Sequence, residues 1–211
     1  MHIDVETSTP PVPTASRRMD AIGRAVSGAG AVLAAAALVV LGERITATDG
    51  AGLGAQLVDQ AGAIVLAATL AVYAAAALSV AVVRVSRTVR GPAGAVVGHA
   101  GCAVAVLLAL YYGSFAAGSL VGADLLTTPG AASGEAALVA ANMVEFGRYA
   151  VGFALVLAVA VAFRRIPRWL SISAFVMVVL AATPVTAWVA AILIPAWLGT
   201  AGALVTPVEA R

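Results

Sequence analysis

The chain has 211 residues, of which 62% are hydrophobic and 10% charged, and its formal net charge is +2. Soluble domains run near about 45–50% apolar and about 25% charged, so water cannot solvate this surface and the chain belongs in a lipid bilayer. A charge this small makes no case for nucleic acid, and the single cysteine, Cys102, excludes an intrachain disulfide.

Residues 1–16, MHIDVETSTPPVPTAS, mix prolines with Ser, Thr and acids ahead of any apolar run. They cannot bury enough surface to order themselves, so 1–18 is expected to be a disordered cytoplasmic tail ahead of one transmembrane domain over 19–206. Residues 207–211 form a short carboxyl-terminal tail. The acidic start and the missing cleavage site argue against a signal peptide.

A membrane helix needs about 20 mostly apolar residues to cross about 30 Å of hydrocarbon. That length picks out segments at 22–41, 61–83, 93–121 and 137–163, separated by polar breaks. A last apolar run extends from Trp169 to Val205, too long for one straight crossing. Pro184 lacks an amide hydrogen and clashes with the carbonyl one turn back. Thr183-Pro184-Val185-Thr186 therefore reads as a tight turn between helices at 167–183 and 186–205. The fold class is all-α, a polytopic transmembrane bundle of six helices; a single kinked last helix, giving five, stays open.

Arginines set the orientation. Arg17, Arg18 and Arg24 precede the first segment, Arg84, Arg87 and Arg90 fill the second break, and Arg164, Arg165 and Arg168 fill the fourth. The other breaks hold Glu43, Asp49, Asp59, Asp124 and Glu135 against Arg44 alone. Basic residues concentrate in cytoplasmic loops, so the amino terminus is expected inside a plasma membrane and loops 42–60 and 122–136 outside. The glycine-rich GAGLGAQ at 50–56 reads as a flexible turn in the first outward loop. Small pairs such as Gly94 and Gly98, or Gly118 and Gly122, permit close helix approach and suggest that the third apolar segment lies centrally.

Within the fourth segment, ANMVEFGRYAVGF carries Glu145 and Arg148 three residues apart. That spacing puts them on one helix face, close enough to pair, and Asn142 and Tyr149 extend the same polar stripe. Counting back from Arg164 sets the pair near the outward interface, with Tyr111 and Tyr112 of the third segment at similar depth. Ionisable groups in membrane segments usually face a bundle interior or a watery cavity. Two readings stand: a register-holding ion pair, or a polar pocket where Glu145 takes a cation or proton and Arg148 tunes it. His99, nearer the cytoplasmic side, could relay protons; with no acid on its turn, a simple bond to a backbone carbonyl is the plainer reading. Cys102 reads as a small buried hydrophobe.

No H-E-x-x-H, G-x-S-x-G, phosphate loop or Cys/His metal spacing occurs. No catalytic residue, metal or cofactor is expected.

In the carboxyl-terminal third, Arg165, Pro167, Arg168, Trp169 and Leu170 open the penultimate segment, and Pro195 and Trp197 form Pro-x-Trp in the last. With Asn142 and Phe146 upstream, residues 140–205 resemble the end of an uncharacterised, mainly actinobacterial family of multi-pass membrane proteins. The resemblance implies six helices and brings no biochemical activity. Physically, Pro167 suits a helix start, while Arg165, Arg168 and Trp169 serve as topology and headgroup anchors.

Two functions remain open. One is an interaction or regulatory membrane protein without catalytic machinery, whose partners are the bilayer and a membrane protein or second copy. The other is a small secondary transporter or proton-coupled permease built around Glu145 and Arg148.

Overall fold

A computed structural model describes residues 14–42, 50–89, 91–124, 131–162, 166–183 and 186–206 of the chain. All regular structure among them is helical: α1 (Thr14–Gly42), α2 (Gly50–Asp59), α3 (Ala61–Val89), α4 (Gly91–Asp124), α5 (Ala131–Val161), α6 (Arg168–Ala182) and α7 (Ala187–Leu204). Four helical stretches are long and apolar enough to cross a membrane: Arg17–Leu41, Ala61–Val89, Gly91–Ser119 and Ala136–Val161. The chain is thus a multi-pass membrane protein by length and composition. Helix α1 takes in residues 14–18, part of the stretch expected to be tail, so Arg17 and Arg18 belong to its first turns. Residues 1–13 and 207–211, and with them most of both expected tails, lie outside the described residues, as do Arg90, Arg164 and Arg165.

The long helices alternate in direction. Gly30 of α1 faces Ala77 and Leu78 of α3, Gly101 of α4 faces Val82 of α3, and the Ser171 hydroxyl of α6 reaches the Ala160 carbonyl of α5. The last apolar run is divided near Pro184. Helix α6 stops at Ala182, Thr183 is extended, and the Thr186 N–H donates to the Thr183 carbonyl at 3.0 Å. Helix α7 then returns against α6, where the Trp197 indole N–H donates to the Ser173 hydroxyl at 3.0 Å.

Arg84 joins three helices at one end of the bundle. Its side chain lies near the end of α3 and is 6% exposed. The guanidinium donates to the carbonyls of Gly202 at 2.6 Å and Val205 at 2.7 Å, and to the Asp20 carboxylate of α1 at 2.7 Å. Asp20 also pairs with Arg24, one turn on, at 2.9 Å. The last carbonyls of a helix have no intrahelical donor, and Arg84 supplies it. The arginine expected in a loop is therefore a structural clamp inside the bundle.

Around that clamp the helices touch backbone to backbone. A Cβ on Gly199 would come within 2.7 Å of the Ala31 nitrogen, and one on Gly202 within 2.5 Å of the Ala81 Cβ. Gly101 presses on Val82 and Gly94 on the Ser86 carbonyl in the same way. At the opposite end, a Cβ on Gly113 of α4 meets nothing within 4 Å. The bundle is tight at the Arg84 end and looser toward α2. Its central element is α7, which packs on α1, α3, α4, α5 and α6. The third apolar segment, α4, packs on α2, α3, α5 and α7, and of its spaced glycines Gly94 approaches the Ser86 carbonyl as closely as Gly199 of α7 approaches that of Ser27.

The glycine-rich 50–56 stretch also departs from expectation, because it is part of helix α2. Glycine in a helix costs about 1 kcal/mol relative to alanine, yet Leu53 and Leu57, one turn apart, are completely buried where α2 packs on α4 and α5. Burying each leucine contributes about 1.5–3 kcal/mol, enough to hold the turn of helix in place. Cys102, expected to be buried, is instead exposed on the outer surface of α4. Its thiol tolerates contact with acyl chains as readily as burial among side chains.

The uneven packing gives a directional test. Gly202→Ala forces α7 away from Ala81 and should destabilise the protein by about 1–3 kcal/mol, as overpacking does. Gly113→Ala enters open space within a helix and should raise stability by up to about 1 kcal/mol. Thermal unfolding in detergent measures both; equal losses would contradict the loose packing at the α2 end.

Candidate functional site

Helix α5 continues well past Val144 toward α2, because Ala131–Ala136 remain helical although small residues and Glu135 begin there. The apolar stretch Ala136–Val161 thus places Arg148 at its middle and Glu145 one turn nearer the α2 end. The pair therefore falls midway along an apolar helical stretch that extends beyond the length needed to cross hydrocarbon.

Glu145 and Arg148 do pair: the guanidinium Nη1 is 3.1 Å from the carboxylate Oε2. The Arg148 side chain is 5% exposed and that of Glu145 19%. The contact is off-line for a hydrogen bond, so Oε2 is buried beside the cation without an aligned donor. Tyr149, one turn on, lies on the same face of α5 as Glu145 and lines the same space. From α4, the Tyr111 ring lies under the Arg148 guanidinium with its centroid 4.9 Å from Cζ. A cation on a ring face is worth about 2 kcal/mol when desolvated. Tyr111 is itself held edge-on by Tyr112 and Phe115, each with ring centroids 5.4 Å away.

These groups form one wall of a cavity of about 390 Å³. Leu108, Tyr111, Tyr112 and Phe115 come from α4, and Asn142, Glu145, Arg148 and Tyr149 from α5. Ala34 and Leu38 of α1 with Ile192 and Pro195 of α7 complete it. All of these α1, α4 and α7 residues lie in the halves of their helices toward α2, where the bundle is loose. Pro195, without an amide hydrogen, also breaks the α7 hydrogen-bond ladder at this wall.

Of the residues singled out in the sequence, Asn142, Glu145, Arg148 and Tyr149 converge here, and His99 does not. Its imidazole Nδ1 lies 2.8 Å from the Ala95 carbonyl on its own helix. It borders a separate shallow groove with Ala103, Ala150 and Ala154 on the outer surface of α4 and α5. Pro167 caps α6, its carbonyl accepting from the Leu170 and Ser171 amides, and Arg168 and Trp169 are exposed in the first turn. The sequence reading missed Phe115, Leu38, Ile192 and Pro195, which only tertiary packing brings to the cavity. It also missed Arg84; its signal was Asp20, an acid set among the arginines ahead of the first apolar segment. Among the described residues, no three of His, Cys, Asp and Glu converge as metal ligands.

The pair's two halves should respond unequally to removal. Glu145→Gln deprives a deeply buried cation, which cannot shed its proton, of its carboxylate and should cost about 3 kcal/mol or more. Arg148→Gln leaves a partly exposed carboxylate that can protonate, so the loss should be smaller. The double variant should recover much of the larger loss, and a double-mutant cycle by thermal unfolding reads the coupling directly. Additive losses would show that the two charges do not depend on one another.

Comparison with protein-family models, with curated proteins and with solved structures gave no match to this chain.

Proposed function

We propose that the chain crosses the plasma membrane six times with both termini in the cytoplasm. Its cavity holds a small polar solute, as in a small secondary permease, and carries out no covalent chemistry. The observation that carries this reading is the cavity itself, with an ion pair at mid-depth of an apolar span on its wall. Ionisable groups in membrane segments are costly and face the bundle interior or a water-filled cavity, and this pair borders such a space. The lining offers charges and rings but no paired nucleophile and base, which favours holding a solute over transforming it.

Arg17, Arg18, Arg24, Arg87 and Arg168 all belong to the Arg84 end, which supports assigning that end to the cytoplasm. The alternation of α5, α6 and α7, with α7 ending at Arg84, supports the fifth and sixth crossings. Six helices are also what the resemblance around Arg168, Trp169, Pro195 and Trp197 implies, and membership of that family is part of the proposal. On this orientation the closely packed end seals the cytoplasmic side and the cavity lies in the outward half. The interaction or regulatory reading has less to support it. Exposed apolar residues such as Val32, Tyr73, Val106, Phe146 and Phe175 are spread around the bundle, as lipid contact requires, without marking one partner face.

Accessibility tests the arrangement. In a Cys102→Ala background, Asp59→Cys and Asn142→Cys should react with an impermeant thiol reagent in intact cells, and Thr206→Cys only after permeabilisation. Labelling of Thr206→Cys from outside would overturn the six crossings. Protection of Asn142→Cys would overturn the outward-facing cavity.

A further inference from the structure

The charges lining the cavity narrow the class of solute, and this step rests on the solute-binding reading above. Glu145 and Arg148 are the ionised residues of the lining, and together they carry no net charge. Adding a net cation or anion would place an uncompensated charge in a low-dielectric site, where desolvation costs several kcal/mol per ion. A solute bearing both signs avoids that. Its ammonium can meet Glu145 Oε2, which has no aligned donor, while its carboxylate meets the guanidinium, whose planar fork matches a carboxylate. The direct pair of 3.1 Å then opens into an alternating row of four charges, each beside an opposite one.

We propose that the cavity binds a small zwitterion of the α-amino-acid type. Its charged groups are close together, as Glu145 and Arg148 are, on one face of α5. The rest of the lining suits such a molecule. Leu108, Phe115, Leu138 and Ile192 give an apolar surface for a short side chain, and Asn142 and Tyr149 add polar groups. A volume of about 390 Å³ stands at the small end of ligand pockets, ample for a solute of amino-acid size. Arg148 is fixed on the Tyr111 ring at 4.9 Å. Glu145, the more exposed partner, is the one that moves to admit the ammonium.

The test uses the full-length protein in detergent and four solutes of similar size: L-alanine, propylamine, propionate and 1,2-propanediol. Calorimetric titration and the shift in unfolding temperature are read for each. Saturable binding of alanine is expected, with propylamine and propionate weaker by more than about tenfold, the scale of losing one buried charge contact. Glu145→Gln and Arg148→Gln should each weaken alanine by a similar factor. The double variant, in which no charge is orphaned, checks that the loss is not unfolding. Propylamine binding as tightly as alanine would make this a cation site. Propanediol binding equally well to wild type and double variant would make it an uncharged polar site. Either result overturns the zwitterion and leaves the solute cavity standing. If no solute binds while Asn142→Cys labels from outside, the zwitterion alone is overturned; if none binds and Asn142→Cys is protected, the cavity reading falls with it.

Discussion

The interior guanidinium of Arg84 is the contact on which the arrangement of the helices depends. In hydrocarbon no water is available to satisfy the free carbonyls at a helix end, and each one left bare costs several kcal/mol. Arg84 meets two of them, on Gly202 and Val205, and is itself balanced by Asp20. One side chain of α3 thus fixes where α7 ends and how α1 begins. With α7 held in that register, Gly199 and Gly202 fall against Ala31 and Ala81. That contact draws three backbones together at one end. The same register carries Ile192 and Pro195 toward the other end, where the cavity lies.

The candidate site and the clamp treat charge in different ways. Arg84 is engaged at every nitrogen: carbonyls and a carboxylate on separate helices accept from it. Glu145 and Arg148 are neighbours on one helix, so their contact needs no tertiary arrangement to form and can open without unfolding the bundle. A buried pair of this second kind adds little to stability over an apolar substitute. Its presence in the loose half of the molecule, beside rings and open volume, is what separates it from a fastening.

Much of this was legible in the sequence. Four long spans follow from hydropathy, the division near Pro184 from proline chemistry, and the pairing of Glu145 with Arg148 from helical spacing. What escaped has a common cause, namely that it depends on partners distant in the chain. Counting arginines treats Arg84 as one more loop charge, although it falls at the end of an apolar run where a helix can bury it. Glycines that matter cannot be told from glycines that do not in so alanine-rich a chain; Gly202 and Gly113 look alike until their neighbours are known. Helix α2 was hidden because its glycines argue for a turn, and only the burial of Leu53 and Leu57 against α4 and α5 overrides them.

The closing hairpin has a consequence for the lipid around it. At 1.5 Å per residue, α6 is about 22 Å long and α7 about 27 Å, against hydrocarbon about 30 Å thick. Helix α3 has 29 residues and α5 has 31, so both exceed that thickness comfortably. If α6 and α7 cross as proposed, a bilayer meeting these short helices on one flank and long ones on the other thins beside α6 while staying full beside α3. On that arrangement the protein imposes a wedge on its surroundings, with acyl chains compressed on one side. Lipids with shorter tails should gather at α6, and a thicker membrane should strain the Thr183–Thr186 turn before any other part of the bundle.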